Sequence, residues 1–324
     1  MTACTDGDAR EPAQPVDPSS RVSSIDALRG IALFGVLAIN LETEFRVSIF
    51  QQFLPHASSQ GLSRLIDGAL DIFIDMKAFA LFSLLFGVGL AIQFERLEAT
   101  QRTRLLVRRL LILLAFGVIH LFLIWNGDIL AEYALAGLVV LPFLFGPTWL
   151  IGSACAMLFA LFLLGALSWR MGLFDGSPRV SRWLRPAAAL LIGAGLVLTV
   201  ALAAHHTWGP AGTILLALGY AALVVSIEAT KIGHRWLRWA QPLGRMAFTN
   251  YILQSVILGL VFYGYGLGLF GKLDSVAGLA IVLAVYVAQV VVSRLWLDRF
   301  RYGPIEWLWR ALMYGRAPPF RKAY

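Results

Sequence analysis

Long apolar runs constrain this chain more than any other feature of its sequence. They are separated by short polar connections and lie at roughly 27–45, 77–94, 105–125, 128–145, 148–168, 185–204, 211–230, 247–269 and 275–297. A transmembrane helix needs about 20 predominantly apolar residues, whereas the strands of an outer-membrane barrel alternate and are only weakly apolar. The pattern therefore predicts an all-α, polytopic membrane helix bundle with roughly eight to ten transmembrane helices.

The composition excludes several other classes of protein. Apolar residues occupy 59% of the 324 positions and charged residues only 14%, against about 25% charged residues in ordinary soluble domains. A soluble enzyme could not cover so much apolar surface, and these totals also exclude a disordered or fibrous chain. The net charge of +8 is typical of basic residues that flank transmembrane helices. We therefore expect a lipid bilayer, and no nucleic acid, as the partner.

The chain divides into a short tail and one membrane domain. Residues 1–20 are polar and rich in Pro, Asp and Ser, which predicts a disordered N-terminal tail. The membrane domain, 21–324, is predicted to contain N-terminal helices at 21–145, middle helices at 146–230 and a C-terminal region at 231–324. The segment 61–76 carries apolar residues at helical spacing opposite charged ones, so it is predicted to be an amphipathic helix at the membrane interface.

Arginine-rich connections predict which ends of the helices face the cytoplasm. They lie at 95–109, 169–185, 231–245 and in the C-terminal tail. The positive-inside rule places all of them, and both chain termini, on the cytoplasmic side of a bacterial inner membrane. Three apolar runs separate the first two connections, although an even number of crossings is required. Either 128–145 or 148–168 is therefore re-entrant, or the arginines of 169–185 lie outside.

Five sequence motifs occur in an order that resembles a bacterial membrane family. They are Arg21–Asn40, Lys77 with Leu81–Gly89, His120 with Asn126–Leu130 and Tyr133, Gly244–Tyr251 with Gln254 and Ser255, and Phe300–Arg310. Together they resemble the YeiB-like family, also called domain of unknown function 418. The N-terminal motif of that family is similar to that of transmembrane acyltransferases, although those enzymes carry a histidine where this chain has Asn40.

The resemblance implies a function in acyl transfer. Transmembrane acyltransferases carry an acyl group from cytoplasmic acyl-CoA to an acceptor at the opposite face of the membrane. For this chain the resemblance therefore implies acyl-CoA as a cosubstrate and a small molecule or glycan as the acceptor. We find no metal-ligand motif and no phosphate-binding loop in the sequence, so no metal is expected.

Three polar residues toward the predicted outer face are the candidate catalytic group. His120, Asp128 and Asn40 lie in or beside apolar runs, where polar side chains are costly and need a reason. Histidine is suited to proton abstraction at neutral pH. Asp128 has two interpretations: it orients His120, or it caps the helix that follows it. Asn40 would hold the carbonyl group or the acceptor.

A second polar group lies on the predicted cytoplasmic side. Its members are Arg29, Arg245, Asn250, Gln254 and Arg310. They are candidates for binding the phosphates of acyl-CoA, since the arginine side chain donates forked hydrogen bonds that suit phosphate oxygens. Further candidates are Asp26, Lys77, Tyr133 and Glu306. Asp26 and Arg29 are three residues apart on one helix face, so a simple ion pair is the alternative to a ligand site. Cytoplasmic arginines also serve only to orient a membrane protein.

Three functions remain compatible with the sequence. The first is an inner-membrane acyltransferase, with His120 as the base. The second is a transporter of a small anionic solute, although we find no internal repeat of the kind that is common in transporters. The third is a non-catalytic membrane scaffold. The sequence does not determine the acyl group, the acceptor or the oligomeric state.

Overall fold

The computed structural model describes residues 21–45, 61–125, 127–148, 160–204 and 210–322. The N-terminal half contains α1 (Ser23–Asn40, continued by a π turn at Leu41–Phe45), α2 (Leu62–Phe73), α3 (Lys77–Arg96), α4 (Ala99–Leu123) and α5 (Leu130–Val140, continued by a 3-10 turn at Leu141–Phe145). After these come α6 (Ala160–Arg170), α7 (Pro178–Ala204), α8 (Pro210–Glu228), α9 (Lys231–Leu237), α10 (Gln241–Arg245), α11 (Ala247–Phe262), α12 (Ser275–Arg299) and α13 (Pro304–Tyr314). The predicted tail, 1–20, lies outside the described residues.

The regular structure is helical, which confirms the all-α prediction. Within the described ranges the only pairing of extended backbone is an isolated bridge between Phe300 and Arg321. Six helical segments are long and apolar enough to cross a membrane: Ser23–Asn40, Leu62–Arg96, Ala99–Leu123, Val180–Leu202, Pro210–Glu228 and Ser275–Arg299. Shorter apolar helices occupy Leu130–Phe145, Leu161–Arg170 and Ala247–Phe262. A membrane helix bundle is therefore supported, while the count of eight to ten crossings stays a prediction.

The amphipathic segment forms a helix of its own. α2 ends at Phe73 and α3 begins at Lys77, and Met76 between them adopts a left-handed backbone conformation with φ of 57°. A non-glycine residue in that conformation interrupts helical geometry. None of the residues of α2 is buried, so the apolar face of this helix is accessible. The prediction that this face lies in the membrane interface stays untested.

Helix α1 lies at the centre of the bundle. Its buried residues include Leu33, Val36 and Leu37, which are completely inaccessible. At its start it packs closely on α10, because Gly30 faces the carbonyl oxygen of Ala240 and Gly244 faces that of Asp26. A methyl group at either glycine would overlap the facing oxygen. Two glycines thus let the backbones of α1 and α10 approach each other, as small residues do in membrane bundles.

Aromatic contacts distinguish the two ends of the bundle. At one end, which we call the aromatic end, Phe45 packs 4.9 Å from Trp125 and 5.3 Å from Tyr263, measured between ring centroids. At the other, which we call the arginine end, Phe94 packs 4.8 Å from Phe145. α3 finishes and α4 begins at the arginine end, and the guanidinium of Arg102 lies 4.3 Å from the Phe94 ring.

The segment between α5 and α7 starts and finishes at the arginine end. The side chain of Arg170, the last residue of α6, donates hydrogen bonds to the carbonyl oxygens of Leu144 and Gly146, the former at the end of α5 and the latter at 3.0 Å. Gly146 and Arg170, which flank the apolar run 148–168, therefore lie at the same end of the bundle. The re-entrant alternative requires such flanking positions, and it stays a prediction because residues 149–159 lie outside the described residues.

Chemical labelling of cysteines tests this topology. In a chain whose Cys4 and Cys155 are replaced by serine, we expect Thr148→Cys and Asp175→Cys to react with an impermeant maleimide from the same side of the membrane. Both positions are exposed, one before and one after the segment. Lys272→Cys, exposed in the connection between α11 and α12 at the aromatic end, should react from the opposite side. Labelling of Thr148→Cys and Asp175→Cys from opposite sides would contradict the re-entrant geometry.

Candidate functional site

One cavity of about 290 Å³ brings together six of the twelve predicted site residues. Its walls come from the start of α1, from α3, α4, α5 and α11, and from α13. The basic residues that line it are Arg21, Arg29, Arg96, Arg109, Arg245 and Arg310. The acidic ones are Asp26 and Glu306. The cavity is therefore strongly basic, and it also has apolar walls that include Phe82, Leu85 and Leu113.

Neither carboxylate neutralises this group of arginines. Asp26 lies between two of them, 4.0 Å from the Nη1 atom of Arg21 and 3.9 Å from that of Arg29. The side chain of Glu306 instead accepts hydrogen bonds from the first turn of α11. Because two acidic groups face six basic ones, the positive charge of the cavity favours an anionic ligand.

Arg109 is held in the cavity by a neutral and aromatic environment. Its Nη1 atom donates a hydrogen bond of 2.7 Å to Oε1 of Gln93. Its guanidinium lies 4.9 Å from the centroid of the Trp309 ring and 5.6 Å from that of Phe86. Only 6% of the residue is exposed, and no carboxylate in the described part of the chain forms an ion pair with it. Arg109 is thus a buried charge that cation–π contacts position.

Arg245 and Arg310 lie outside the helices that are long enough to span a membrane. Their surroundings disfavour the charged form of each guanidinium group. Burial lowers the pKa of Arg245 from its ordinary value, and Arg21 lowers that pKa further. Burial likewise lowers the pKa of Arg310, again with a contribution from Arg21, which Glu306 partly offsets. The Nε atom of Arg245 is buried without a hydrogen-bond partner among the residues described. A bound anion would stabilise both guanidinium groups.

The contacts of Glu306 explain the last of the five sequence motifs, Phe300–Arg310, in structural terms. Oε1 of Glu306 accepts hydrogen bonds from the backbone amides of Phe248 and Thr249, at 2.8 and 3.0 Å, and Oε2 accepts one from the hydroxyl of Thr249 at 2.5 Å. These amides belong to the first turn of α11, whose N–H groups have no partner within the helix. Gly303 leaves room for this carboxylate, and Pro304 begins α13. Glu306 therefore caps α11 from α13.

His120 and Asp128 form a buried pair beyond the cavity. Nδ1 of His120 lies 2.9 Å from Oδ1 of Asp128, and the side chains are 1% and 0% exposed. The other carboxylate oxygen of Asp128 accepts a hydrogen bond of 2.7 Å from the amide of Ala131. Asp128 thus makes both contacts that the sequence left as alternatives. In the part of the chain that the structure describes, Nε2 of His120 has no hydrogen-bond partner, and the close approach of Nδ1 to Asp128 lacks the geometry of a hydrogen bond.

Tyr251 lies between this pair and the cavity. Its ring centroid is 5.2 Å from that of the His120 imidazole. Its hydroxyl oxygen is 3.4 Å from the backbone amide of Ile129, which donates to it. Tyr251 and Ile129 both line the cavity, whereas His120 does not. The cavity therefore extends from the arginines to the side chain that covers the His120 imidazole.

Two predicted phosphate-binding residues lie instead between α11 and α12. Asn250 donates a hydrogen bond of 2.9 Å to the hydroxyl of Ser293, and Gln254 donates one of 2.9 Å to Oε1 of Gln289. All four side chains are buried, and none lines the cavity. Hydrogen bonds of this kind join membrane helices. The structure therefore places Asn250 and Gln254 in a helix interface.

The remaining predicted residues, Lys77, Asn40 and Tyr133, lie apart from one another. Lys77 is buried and donates a hydrogen bond of 2.7 Å to the carbonyl oxygen of Asp71, which connects α3 to the end of α2. Asn40 is buried at the end of α1, and among the described residues no hydrogen bond joins it to His120. Tyr133 does line the cavity, and its hydroxyl donates to the carbonyl oxygen of Phe79 at 3.0 Å.

Several cavity residues were not among the predicted site residues, and Arg109, Trp309 and Tyr251 are the most informative of them. Arg109 resembles any basic residue at the start of a membrane helix, Trp309 resembles an interfacial aromatic residue, and Tyr251 resembles an apolar wall residue. Arg109 lies four residues after Leu105, well inside α4, and this depth was the available signal. Only the packing of α13 on α4 shows that Arg109 and Trp309 share one cavity.

Comparison with known proteins identifies the family. The chain is 31% identical to the uncharacterized protein YxaH of Bacillus subtilis, over 95% of this chain and 98% of the relative. This chain belongs to the DUF418 family. The family description, "Protein of unknown function (DUF418)", matches residues 168–316. The uncharacterized protein YeiB of Escherichia coli is 28% identical over 91% of this chain and 97% of its own length. No solved structure matches the chain.

The matched DUF418 region contains only part of the cavity. It includes Arg245, Tyr251, Glu306, Trp309 and Arg310, which lie within 168–316. The N-terminal helices contribute the rest of the cavity and the His120–Asp128 pair. The site of this DUF418 member is therefore built where its two halves meet.

Removal of the Glu306 carboxylate tests the capping role. We expect Glu306→Ala to destabilise the protein by about 2–4 kcal/mol, because hydrogen bonds to a charged group contribute about 1.5–3 kcal/mol each and α11 would lose its cap. The thermal midpoint in detergent should fall by several degrees. Glu98→Ala, at an exposed position without a side-chain cap, is the control. Equal midpoints for both variants would show that Glu306 does not support α11.

Proposed function

We propose that this protein is a membrane acyltransferase that transfers an acyl group from acyl-CoA to a small-molecule or glycan acceptor. One observation carries the proposal: a single basic cavity extends from Arg245 and Arg310 to Tyr251, which packs on the buried His120–Asp128 pair. The donor would thus bind in the cavity, and the general base would lie directly behind the Tyr251 wall of the same site.

The arginines would hold the phosphates of coenzyme A. A guanidinium group can donate two parallel hydrogen bonds to phosphate oxygens. Arg21 and Arg245 are partly exposed, while Arg109 is buried deeper between Trp309 and Phe86. This graded exposure suits a ligand whose charged part remains near the entrance. In the inner membrane we place that entrance on the cytoplasmic side, where acyl-CoA is formed.

The size of the cavity limits how much of the donor it holds. Its volume of about 290 Å³ is at the lower end of the range of about 300–1,000 Å³ that is typical of small-molecule sites. We infer that it takes the thioester and part of the neighbouring arm. The apolar walls at Phe82, Leu85 and Leu113 would contact the acyl group, and the phosphates would remain among the arginines.

His120 would act as the general base. With a proton on Nδ1, which lies 2.9 Å from Oδ1 of Asp128, the imidazole would carry its lone pair on Nε2, where it would accept the proton of an acceptor hydroxyl or amine. The deprotonated acceptor attacks the thioester carbonyl carbon, the carbon–sulfur bond breaks, and the coenzyme A thiolate takes the proton back from His120. The step forms one ester or amide and one thiol, and it needs no further reactant.

Binding of acetyl-CoA tests the first half of the proposal. A ligand that binds only the folded protein raises its thermal midpoint, so we expect acetyl-CoA to stabilise the purified protein in detergent. Arg245→Gln and Arg109→Gln should weaken this binding by about 10- to 100-fold, because each removes hydrogen bonds between charged groups. The neighbouring Arg108→Gln is the matched control, since Arg108 is exposed and does not line the cavity.

Comparison of the Arg108 and Arg109 variants distinguishes a specific binding site from a basic surface. Equal loss of binding in Arg108→Gln and Arg109→Gln would indicate non-specific attraction of an anion by a basic surface. No stabilisation of the wild-type protein by millimolar acetyl-CoA would overturn the acyltransferase function.

Transfer of a labelled acetyl group tests the second half. Membranes that contain the wild-type protein should move label from [14C]acetyl-CoA to an acceptor fraction, and Asp128→Asn should slow this transfer by at least 100-fold. An asparagine can still accept the Ala131 amide hydrogen bond, but its NH₂ group would then face Nδ1 of His120 and favour the tautomer with a proton on Nε2. Accumulation of intact acetyl-CoA inside vesicles, without transfer of label, would instead indicate transport.

A further inference from the structure

We infer that the hydroxyl of Tyr251 is a further catalytic group, which donates a hydrogen bond to the thioester carbonyl oxygen during acyl transfer. This inference rests on the acyltransferase function proposed above. It is carried by two observations: Tyr251 separates the cavity from the His120 imidazole, and its hydroxyl hydrogen has no acceptor among the described residues.

The hydrogen bonding of Tyr251 differs from that of Tyr133 and Tyr286. The hydroxyl of Tyr133 donates to the carbonyl oxygen of Phe79 at 3.0 Å, and that of Tyr286 donates to Gly30 at 2.8 Å. The hydroxyl of Tyr251 only accepts, from the amide of Ile129. Since buried tyrosine hydroxyls usually find a partner, a donor without an acceptor at a cavity wall indicates a ligand oxygen.

Tyr251 is positioned where negative charge would develop on the carbonyl oxygen of the thioester. Only 4% of Tyr251 is exposed, so water competes little for its hydroxyl. The ring packs against His120, with the two ring planes inclined by 39°. The amide of Ile129 holds the phenolic oxygen, which leaves its hydrogen for a second partner. A donor that is already oriented in a dry site stabilises an oxyanion without further reorganisation.

The proposed step balances within the acyl-transfer reaction. Attack of the acceptor on the thioester carbon makes the carbonyl oxygen negative, and the Tyr251 O–H donates a hydrogen bond to that oxygen. His120 holds the proton that the acceptor has lost. The carbonyl re-forms as the carbon–sulfur bond breaks, and the thiolate takes the proton from His120. Tyr251 keeps its own proton throughout, as a phenol does at neutral pH.

Infrared spectroscopy of bound acetyl-CoA tests this role without knowledge of the acceptor. Acetyl-CoA labelled with ¹³C at the thioester carbonyl is bound to the wild-type protein, to Tyr251→Phe and to Tyr286→Phe. We expect the carbonyl stretch to move to lower frequency on binding to the wild type and to return toward the free value in Tyr251→Phe. Acetyl-CoA affinity should change by less than about tenfold, as expected for one hydrogen bond to a neutral group.

Tyr286→Phe is the matched control. It also removes a buried hydroxyl, but Tyr286 does not line the cavity and its hydroxyl already has an acceptor. The carbonyl shift should therefore persist in Tyr286→Phe. In the acetyl-transfer assay, Tyr251→Phe should lower kcat by about 10²–10³-fold, as loss of one oxyanion donor does, and KM should change little.

The possible failures are distinguishable. If acetyl-CoA binds and its carbonyl shift is the same in Tyr251→Phe as in the wild type, the role of Tyr251 is overturned while the proposed function stands. A shift that disappears equally in Tyr286→Phe also overturns it, because the effect would then be a general loss of packing. If acetyl-CoA does not bind to the wild type, both the proposed function and this inference fail.

Discussion

The three hydrogen bonds to the Glu306 carboxylate are the interaction on which the candidate site depends. They satisfy the first turn of α11 with a side chain from α13, in a region where water is scarce and an unpaired amide costs about 1–3 kcal/mol. Once α13 is held in this way, Trp309 and Arg310 lie beside Phe248 and Tyr251 of α11. The Trp309 ring in turn positions the Arg109 guanidinium of α4. One carboxylate therefore aligns three helices around the cavity.

The second constraint is the unbalanced charge of the cavity. Arginines that are buried away from water destabilise a fold unless they pair with an anion. Here Glu306 is occupied by the α11 cap, and Asp26 serves both Arg21 and Arg29. The glycine contacts between α1 and α10 place this pair beside Arg245. Among the residues that line the cavity, arginines therefore outnumber carboxylates, and the proposed anionic donor substrate would compensate the excess positive charge.

Much of the secondary structure could be predicted, because apolar runs of about 20 residues have few alternatives to a membrane helix. The runs at 77–94, 211–230 and 275–297 correspond closely to α3, α8 and α12. The prediction of polar contacts was less complete. Asn250 and Gln254 carry donors and acceptors suited to a ligand, yet their partners are Ser293 and Gln289 on a neighbouring helix. Periodicity indicates which side chains share one helix face, but it does not say which helix that face contacts.

The sequence by itself determined the helical class, the apolar length of the helices and the amphipathic segment before α3, and it singled out Arg245, His120 and Asp128 as polar residues in or beside apolar runs. These follow from local properties, namely apolar length, helical spacing and the type of side chain. Only the tertiary structure decided that Gly146 and Arg170 lie at one end of the bundle and that Asp128 both caps α5 and contacts His120. It also decided that Arg109, Trp309 and Tyr251 share one cavity. Those results depend on backbone contacts between helices that are distant in the chain, and such contacts leave no period in the sequence.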